Sequence, residues 1–199
     1  MNKIYIAFCL ILSTFQLLAK DEKTDFFIKE NSILMIHGDA NILKFTCHLK
    51  NAFNLTSFTL KGKKKKKMFH LEEGKILVPI KNLDCGNNEM NKEMIELLKG
   101  KEYPYITLNF KELSVPDWKK EGEFLKSSAF SKVTISVGGL DVTYPVHLDL
   151  VKVNEKNILA SGNKKFKITD FNITPKSYLL GLAKINEMIE IDFQLVLTK

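Results

Sequence analysis

The residues of this chain that are able to perform acid–base or metal chemistry are few and scattered. The four histidines show neither His-x-His nor His-Glu-x-x-His spacing, so the sequence indicates no metal site. We interpret His37-Gly38-Asp39 as a turn rather than as a pair of metal ligands. The chain has no glycine-rich phosphate loop and no Gly-x-Ser-x-Gly elbow, so we expect neither catalysis nor a cofactor. The histidines are His37, His48, His70 and His147.

The first residues have the pattern of a signal peptide. Lys3 precedes an uncharged run from Ile4 to Ala19, and Lys20 and Asp21 follow it. The run is shorter than the ~20 apolar residues that span a bilayer, although a retained membrane anchor is the alternative. We therefore predict a signal peptide at residues 1–19, cleaved near Ala19, and a mature protein that is periplasmic or secreted.

The remaining cysteines indicate a disulfide. Cys9 lies inside the predicted signal peptide, so the exported chain keeps only Cys47 and Cys85. An even pair in an oxidising compartment suggests one bond, and each cysteine lies at or near the end of a predicted strand. Two buried free thiols are the alternative, because the sequence does not show how far apart the two residues are.

A lysine run carries much of the net charge of +7. It falls between two apolar segments, at a predicted hairpin tip. One interpretation is contact with anionic lipid headgroups, to which each basic residue adds ~1 kcal/mol. The other is a solvated loop, which the absence of an accompanying amphipathic helix favours. Nucleic acid is not indicated, because no aromatic residues interleave with the lysines. The run consists of Lys61, Lys63, Lys64, Lys65, Lys66 and Lys67.

Apolar and polar residues alternate with a period of two through most of the mature chain. The clearest examples are residues 142–150 and 189–197, and Gly138-Gly139 marks a tight hairpin turn. Strands with one apolar face, linked mostly by hairpins, form an antiparallel sheet with one buried side. We predict an all-β fold: a single antiparallel β-barrel of about eight strands, with its apolar face inward and one short inserted helix.

The inserted helix begins at Asn87 or Asn88 and ends at Gly100, ahead of Tyr103-Pro104. Its apolar residues recur at helical spacing and form one stripe. The stripe is explained either by ordinary core packing or by a pliable cover over a bound molecule. These residues are Met90, Met94, Leu97 and Leu98.

Several short motifs, in this order and spacing, resemble the YceI-like family. The resemblance covers roughly residues 31–198, and within the family the sequence looks most like the cysteine-containing exported variants from Bacteroidetes. It implies a lipocalin-like barrel whose elongated apolar cavity binds polyisoprenoid or similar lipids in the periplasm. The motifs are Asp84-Cys85-Gly86, Leu97-Leu98-Lys99, Tyr103-Pro104-Tyr105-Ile106, Leu108-Asn109-Phe110, Gly138-Gly139-Leu140, Tyr144-Pro145-Val146 and Thr169-Asp170-Phe171.

On this basis we divide the chain into a signal peptide (1–19), a charged lead-in (20–30) and a YceI-like β-barrel domain (31–199). We expect the barrel to bind a long apolar ligand such as a polyisoprenoid, an isoprenoid quinone or a fatty-acid-like lipid. The alternative is a ligandless stress or interaction protein with a solid core and a lysine-rich docking loop. The candidate ligand contacts are Phe45, Ile76, Val78, Ile80, Phe110, Val133, Ile135, Tyr144, Val146, Phe193 and Leu195, with Met90, Met94 and Leu97 on the helix.

Overall fold

The structure is a computed structural model that describes residues 21–40, 43–50, 56–174, 177–178 and 183–199. The predicted signal peptide lies outside these residues. Within the described ranges, one α-helix, α1 (Asn88–Leu97), and two short 3-10 turns, Ile80–Asn82 and Ile168–Phe171, accompany the strands. The strands are β1 (Asp21–Ile28), β2 (Ile33–Ala40), β3 (Leu43–Leu49), β4 (Thr56–Lys65), β5 (Met68–Glu73), β6 (Lys75–Pro79), β7 (Leu83–Asp84), β8 (Tyr105–Ser114), β9 (Lys119–Glu121), β10 (Phe124–Val137), β11 (Leu140–Lys152), β12 (Asn157–Lys167), β13 (Ser177–Tyr178) and β14 (Ala183–Thr198).

Eight of these strands form a closed antiparallel barrel, which confirms the predicted fold class. Their order is β1-β4-β5-β8-β10-β11-β12-β14, and β14 pairs again with β1 to complete the ring. The period-two pattern places alternate residues inside, so that Val133, Ile135 and Val137 of β10 are all buried. The barrel therefore forms around a single apolar interior.

The charged lead-in that we set apart from the barrel contributes one of its strands. Residues 21–28 form β1, which pairs with β4 from Asp21↔Lys63 to Ile28↔Thr56. Lys23 and Asp25 face water, whereas Phe26 and Ile28 are buried in the core. Only two inward positions are apolar in this strand, which is too few for the alternation to stand out in the sequence.

The segment His37-Gly38-Asp39 is not a turn, so that interpretation of the sequence was wrong. It lies within β2, where Gly38 pairs with Phe45 of β3 and with Ile189 of β14. A Cβ on Gly38 would collide with the ring of Phe45. The glycine is therefore explained by the close approach of an inward-facing aromatic ring to the strand backbone.

The β10–β11 turn matches the sequence prediction. Gly138 and Gly139 form a two-residue connection with φ values of 56° and 84°. Two consecutive positive φ values are the geometry of the tight hairpin turn that fits twisted strands, and glycine adopts them without strain. The ring of Tyr103 packs against Gly139, and Gly138 lies against Leu98 and Lys99 at the end of α1. This turn and the helix therefore lie at the same end of the barrel, which we call the helix end.

Helix α1 is anchored by its own first residues. The Asn87 side chain caps it by accepting from the Met90 N–H at 2.9 Å. Asn91 accepts from the Cys85 N–H at 2.6 Å and donates to Asp84 at 3.3 Å. Met94, Leu97 and Leu98 point into the barrel and are buried. The helix thus closes one end of the barrel and is held there by a polar network at its start.

A disulfide joins Cys47 of β3 to Cys85, which directly follows β7, as the sequence analysis predicted. Both cysteines are buried, with 0% and 6% of their surfaces exposed. The only ladder contacts between β3 and β7 are His48↔Asp84 and Leu49↔Leu83. The bond therefore fixes the start of α1 to the barrel wall at a place where strand pairing is short.

We expect loss of this disulfide to lower stability without changing the fold. It closes a loop of 38 residues, for which the chain-entropy estimate is about 3 to 4 kcal/mol. Urea unfolding of the Cys47→Ala/Cys85→Ala variant measures this difference in the free energy of unfolding. A reductant should destabilise the wild-type protein and leave the variant unchanged, whereas equal stability of the two proteins would contradict the assignment.

A second prediction concerns Asp84, whose carboxylate pairs with Lys50 and accepts from the Gly86 N–H and from Asn91. The Lys50 contact first, and the two hydrogen bonds after it, lower the pKa of Asp84 from 3.8 to about 2. The folded state thus binds this proton less readily than the unfolded state does. The resulting stability is present above pH 3.8 and is lost as the pH falls towards about 2.

The Asp84→Asn variant should therefore lose less stability than the wild type between pH 4 and pH 2, a window set by the two pKa values. Urea titrations at a series of pH values give the slope for each protein. Asp141→Asn, which removes an exposed carboxyl beside the β10–β11 turn, is the matched control and should keep the wild-type slope. Identical slopes for wild type and Asp84→Asn would show that the Asp84 network does not form.

Candidate ligand-binding cavity

The larger apolar cavity inside the barrel lies at the end away from the helix. Its volume is about 150 Å³. Leu148 and Leu150 place it at the far end of β11 from the Gly138–Gly139 turn, and Trp118 lies at its edge in the β8–β9 connection. We call this the Trp118 end. The lining residues are Phe26, Leu60, Leu71, Ile76, Phe110, Leu113, Pro116, Trp118, Leu148, Leu150, Ile158, Ala160, Phe193, Leu195 and Leu197.

Half-buried residues mark where this cavity approaches the surface. Leu60, Leu71, Trp118, Ile158 and Leu197 are all partly exposed, whereas Ile76 on the opposite wall is 1% exposed. The lining side chains carry no charge, so the cavity offers a hydrocarbon surface that favours apolar molecules. We call the partly exposed group the cavity mouth.

A second apolar cavity lies at the helix end and is almost filled. Its volume is about 40 Å³, and Met94, Leu97 and Leu98 of α1 form part of its wall. Neighbouring inward positions of β14 belong to different cavities, since Ile191 lines this one and Phe193 lines the larger one. The two cavities are therefore stacked along the barrel, with side chains packed between them.

The predicted ligand contacts divide into three groups. Ile76, Phe110, Phe193 and Leu195 line the larger cavity. A second set, Phe45, Met94, Leu97 and Ile135, lines the small cavity at the helix end. The rest pack in the core without lining either cavity: Val78, Ile80, Met90, Val133, Tyr144 and Val146.

None of the cavity-mouth residues was among the predicted ligand contacts. Leu60 and Leu71 flank the lysine run, and Pro116 and Trp118 lie in a connection without a clear period. A weak signal was present, because Trp118 is the only tryptophan of the chain and follows the end of a well-defined strand. The period of two identifies the inward face of a strand, but it carries no information about position along the barrel axis.

Tyr144, a predicted ligand contact, lines neither cavity and links two parts of the barrel wall. Its hydroxyl donates to Asp170 at 2.7 Å, and its ring packs near Phe166 and Phe171 at centroid distances of 5.9 and 6.3 Å. Burial, and then the neighbouring Asp170 carboxylate, raise the pKa of the Tyr144 hydroxyl. The contact ties β11 to the 3-10 turn that follows β12, which explains the Thr169-Asp170-Phe171 motif.

The outer wall carries a polar contact that links three strands. His37 of β2 lies 3.0 Å from the Thr46 hydroxyl of β3 and 3.0 Å from the Asp192 carboxylate of β14. When Thr46 donates to Nδ1, the other ring nitrogen carries the proton and donates to Asp192, so all three groups are satisfied. Among the described residues, no group of three or more His, Cys, Asp or Glu side chains is arranged to hold a metal ion.

Within the described part of the chain, no helix has the length and apolar character needed to cross a bilayer.

Comparison with known proteins identifies the class to which this barrel and cavity belong. Residues 29–197 match the sequence profile of the YceI-like domain, so the chain belongs to the YceI-like family. No curated protein sequence is significantly similar to the chain.

Two solved structures share the fold. One is a polyisoprenoid binding domain from Saccharophagus degradans implicated in plant cell wall breakdown, with a TM-score of 0.61 and 11% identity. The comparison covers 87% of this chain and 97% of that domain. The other is BcnA from Burkholderia cenocepacia, with a TM-score of 0.56 and 14% identity over 83% of this chain and 95% of BcnA. At these identities the likeness establishes the fold alone.

Proposed function

We propose that this protein binds a long apolar ligand inside its barrel, with one end of the ligand in the cavity at the Trp118 end. The ligand is a polyisoprenoid, an isoprenoid quinone or a fatty-acid-like chain. The observation that carries the proposal is the cavity of about 150 Å³, whose lining is apolar and whose mouth includes a partly exposed tryptophan. Each methylene that leaves water for such a site contributes about 0.8 kcal/mol.

The size of the cavity indicates how a long ligand fits. An apolar cavity of about 150 Å³ stays dry and holds one benzene-sized group, so the space at the Trp118 end takes only the end of a chain. A longer ligand extends towards the helix end when side chains between the two cavities change rotamer. Phe110 and Phe193 line the larger cavity next to that layer and are only partly buried. A slender, flexible chain suits such a path better than a rigid ring system does.

The family supports the ligand class. The structural neighbour from Saccharophagus degradans is described as a polyisoprenoid binding domain. A chain built from branched five-carbon units matches a lining made mostly of Leu, Ile and Phe, because both surfaces are irregular and apolar.

We further propose that the protein works in the periplasm or outside the cell. The pattern at residues 3–19 supports export, because it combines a basic residue, an uncharged run and a small residue at the expected cleavage position. The Cys47–Cys85 bond supports it as well, since disulfides persist in oxidising compartments.

The alternative is a barrel that works without a ligand, as a stress or interaction protein. The nearly filled cavity at the helix end favours this function, because α1 packs into that end as ordinary core. The larger cavity at the Trp118 end favours ligand binding. The two functions therefore differ in what enters the Trp118 end.

Blocking that cavity separates them. Ala160 is 5% exposed and lines the larger cavity, so Ala160→Phe places a benzene-sized ring in a space of about that volume. Ser161→Phe introduces the same side chain at the next position of β12, where successive residues point to opposite faces of the sheet. It is the matched control, because the added ring lies outside the barrel.

Trp118 provides the readout, because its fluorescence reports on a probe that enters beside it. Titration with geranylgeraniol or palmitic acid should change the fluorescence of wild type and Ser161→Phe in a saturable way. Ala160→Phe should bind both probes at least tenfold more weakly, which corresponds to a loss of about 1.4 kcal/mol in binding free energy. Circular dichroism and thermal unfolding establish that both variants fold.

The proposal fails if folded Ala160→Phe binds both probes as well as the wild type, because binding would then lie outside the cavity. It also fails if the wild type shows no saturable response to either probe, which is the result that the ligandless alternative predicts.

A further inference from the structure

The lysine run lies beside the cavity mouth. Residues 61–67 form the end of β4 and the turn into β5, and Lys65 pairs with Met68 across that turn. The cavity-lining residues Leu60 and Leu71 belong to the same hairpin. At its tip, the Lys67 carbonyl accepts from the Val115 N–H at 2.8 Å, one residue before the cavity-lining Pro116. The hairpin is therefore joined directly to the edge of the cavity.

The charges of the hairpin are divided unevenly. Near its base, Lys61 lies 3.6 Å from Glu73, and Lys63 lies 3.6 Å from Glu72. At the tip, Lys65, Lys66 and Lys67 are exposed, and none of them forms an ion pair within the described ranges. We call these three residues the lysine tip. The acidic residues of the hairpin thus neutralise its base and leave its end cationic.

The turn places Lys66 in an uncommon backbone conformation. Lys66 has a φ of 56°, in the left-handed region that asparagine and glycine adopt most readily. Three adjacent lysines also repel one another. A solubilising surface needs neither a strained lysine nor three adjacent cations, because charges of mixed sign spread over the surface serve that purpose. The local arrangement is better explained by a surface that attracts a dense layer of negative charge.

We propose that the lysine tip binds the protein to an anionic phospholipid bilayer, with the cavity mouth facing the headgroups. Each lysine near such a surface contributes about 1 kcal/mol, which is roughly fivefold in affinity. Tryptophan favours the interface between headgroups and hydrocarbon, and Trp118 lies at the mouth beside the tip. The membrane contact stands independently of the proposed function. The further idea that an apolar ligand passes between the bilayer and the cavity rests on the proposed function.

A bilayer suits this surface better than an acidic protein does. Next to the tip the mouth exposes apolar side chains, including Leu60, Leu71 and Trp118, each partly buried. Cationic residues beside an apolar edge complement a surface that is anionic outside and apolar within.

Vesicle co-sedimentation tests the proposal with phosphatidylcholine vesicles and with vesicles that also contain phosphatidylglycerol. The test variant is Lys65→Gln/Lys66→Asn/Lys67→Gln, in which asparagine suits the positive φ at position 66. The matched control is Lys81→Gln/Lys92→Gln/Lys101→Gln, which removes the same charge from exposed lysines around α1 at the helix end. Both variants have the same net charge.

Wild type and control should bind the anionic vesicles with similar affinity, and the tip variant should bind roughly 100-fold more weakly. Binding should fall as salt is added, because the Debye length shortens. Equal wild-type binding to both kinds of vesicle would overturn the proposal. Equal losses in the two variants would also overturn it, because net charge rather than the tip would then control binding. Binding to soluble poly-glutamate but not to vesicles would indicate that the lysine tip binds an acidic protein, and it would overturn the membrane proposal.

A parallel titration keeps the two proposals apart. Geranylgeraniol added in the absence of vesicles should change Trp118 fluorescence equally in wild type and tip variant, because the tip does not line the cavity. Vesicle binding without this response would contradict the ligand proposal alone. The response without vesicle binding would contradict the membrane proposal alone.

Discussion

The closure of the sheet by its last strand is the constraint on which the rest of the structure depends. β14 pairs along one edge with β12 and along the other with β2 and then β1. Only two residue pairs, Phe27↔Thr198 and Ile28↔Leu197, join β1 to β14 and complete the ring. Without them the inward faces of the strands would form an open sheet with an apolar side exposed to water. With them, the same faces enclose an interior.

Closure of the sheet does not determine what the interior contains, because side chains fill the two ends of the barrel to different extents. At the helix end, α1 fills the space with Met94, Leu97 and Leu98, and the disulfide and the Asp84 network hold it there. At the Trp118 end none of the described residues forms a helix that enters the barrel, and the wall residues leave a cavity. We attribute the capacity for a ligand to the end that is not filled, and rigidity to the end that is. The basic hairpin lies at the end with the cavity.

The sequence predicted the architecture well because a barrel is specified by local patterns. Alternation defines which residues face inward, two adjacent glycines define the β10–β11 turn, and Asn87 defines the start of the helix. The disulfide followed from the cysteine count and the predicted export, although the sequence left free thiols open. Residues 21–28 did not stand out as a strand because charged residues occupy half of their positions.

The candidate site was predicted less well for a physical reason. Inward-facing strand residues show the same period of two in the sequence whether they pack tightly or line a cavity. Val133 and Val146 pack tightly, whereas Phe193 lines a cavity. Which of them line a cavity depends on how side chains from several strands fill each level of the barrel. Trp118 and Leu71 illustrate the remaining difficulty, because they come from irregular or highly charged segments that meet the barrel only in three dimensions.

The central claim is that the barrel holds an apolar ligand at the Trp118 end. The most direct test is a crystal structure of the mature protein, purified without detergent from cells that export it. We predict continuous elongated electron density that begins between Trp118 and Phe193 and extends towards the helix end. A structure in which the protein's own side chains fill that space, or in which a ligand lies elsewhere, would contradict the account.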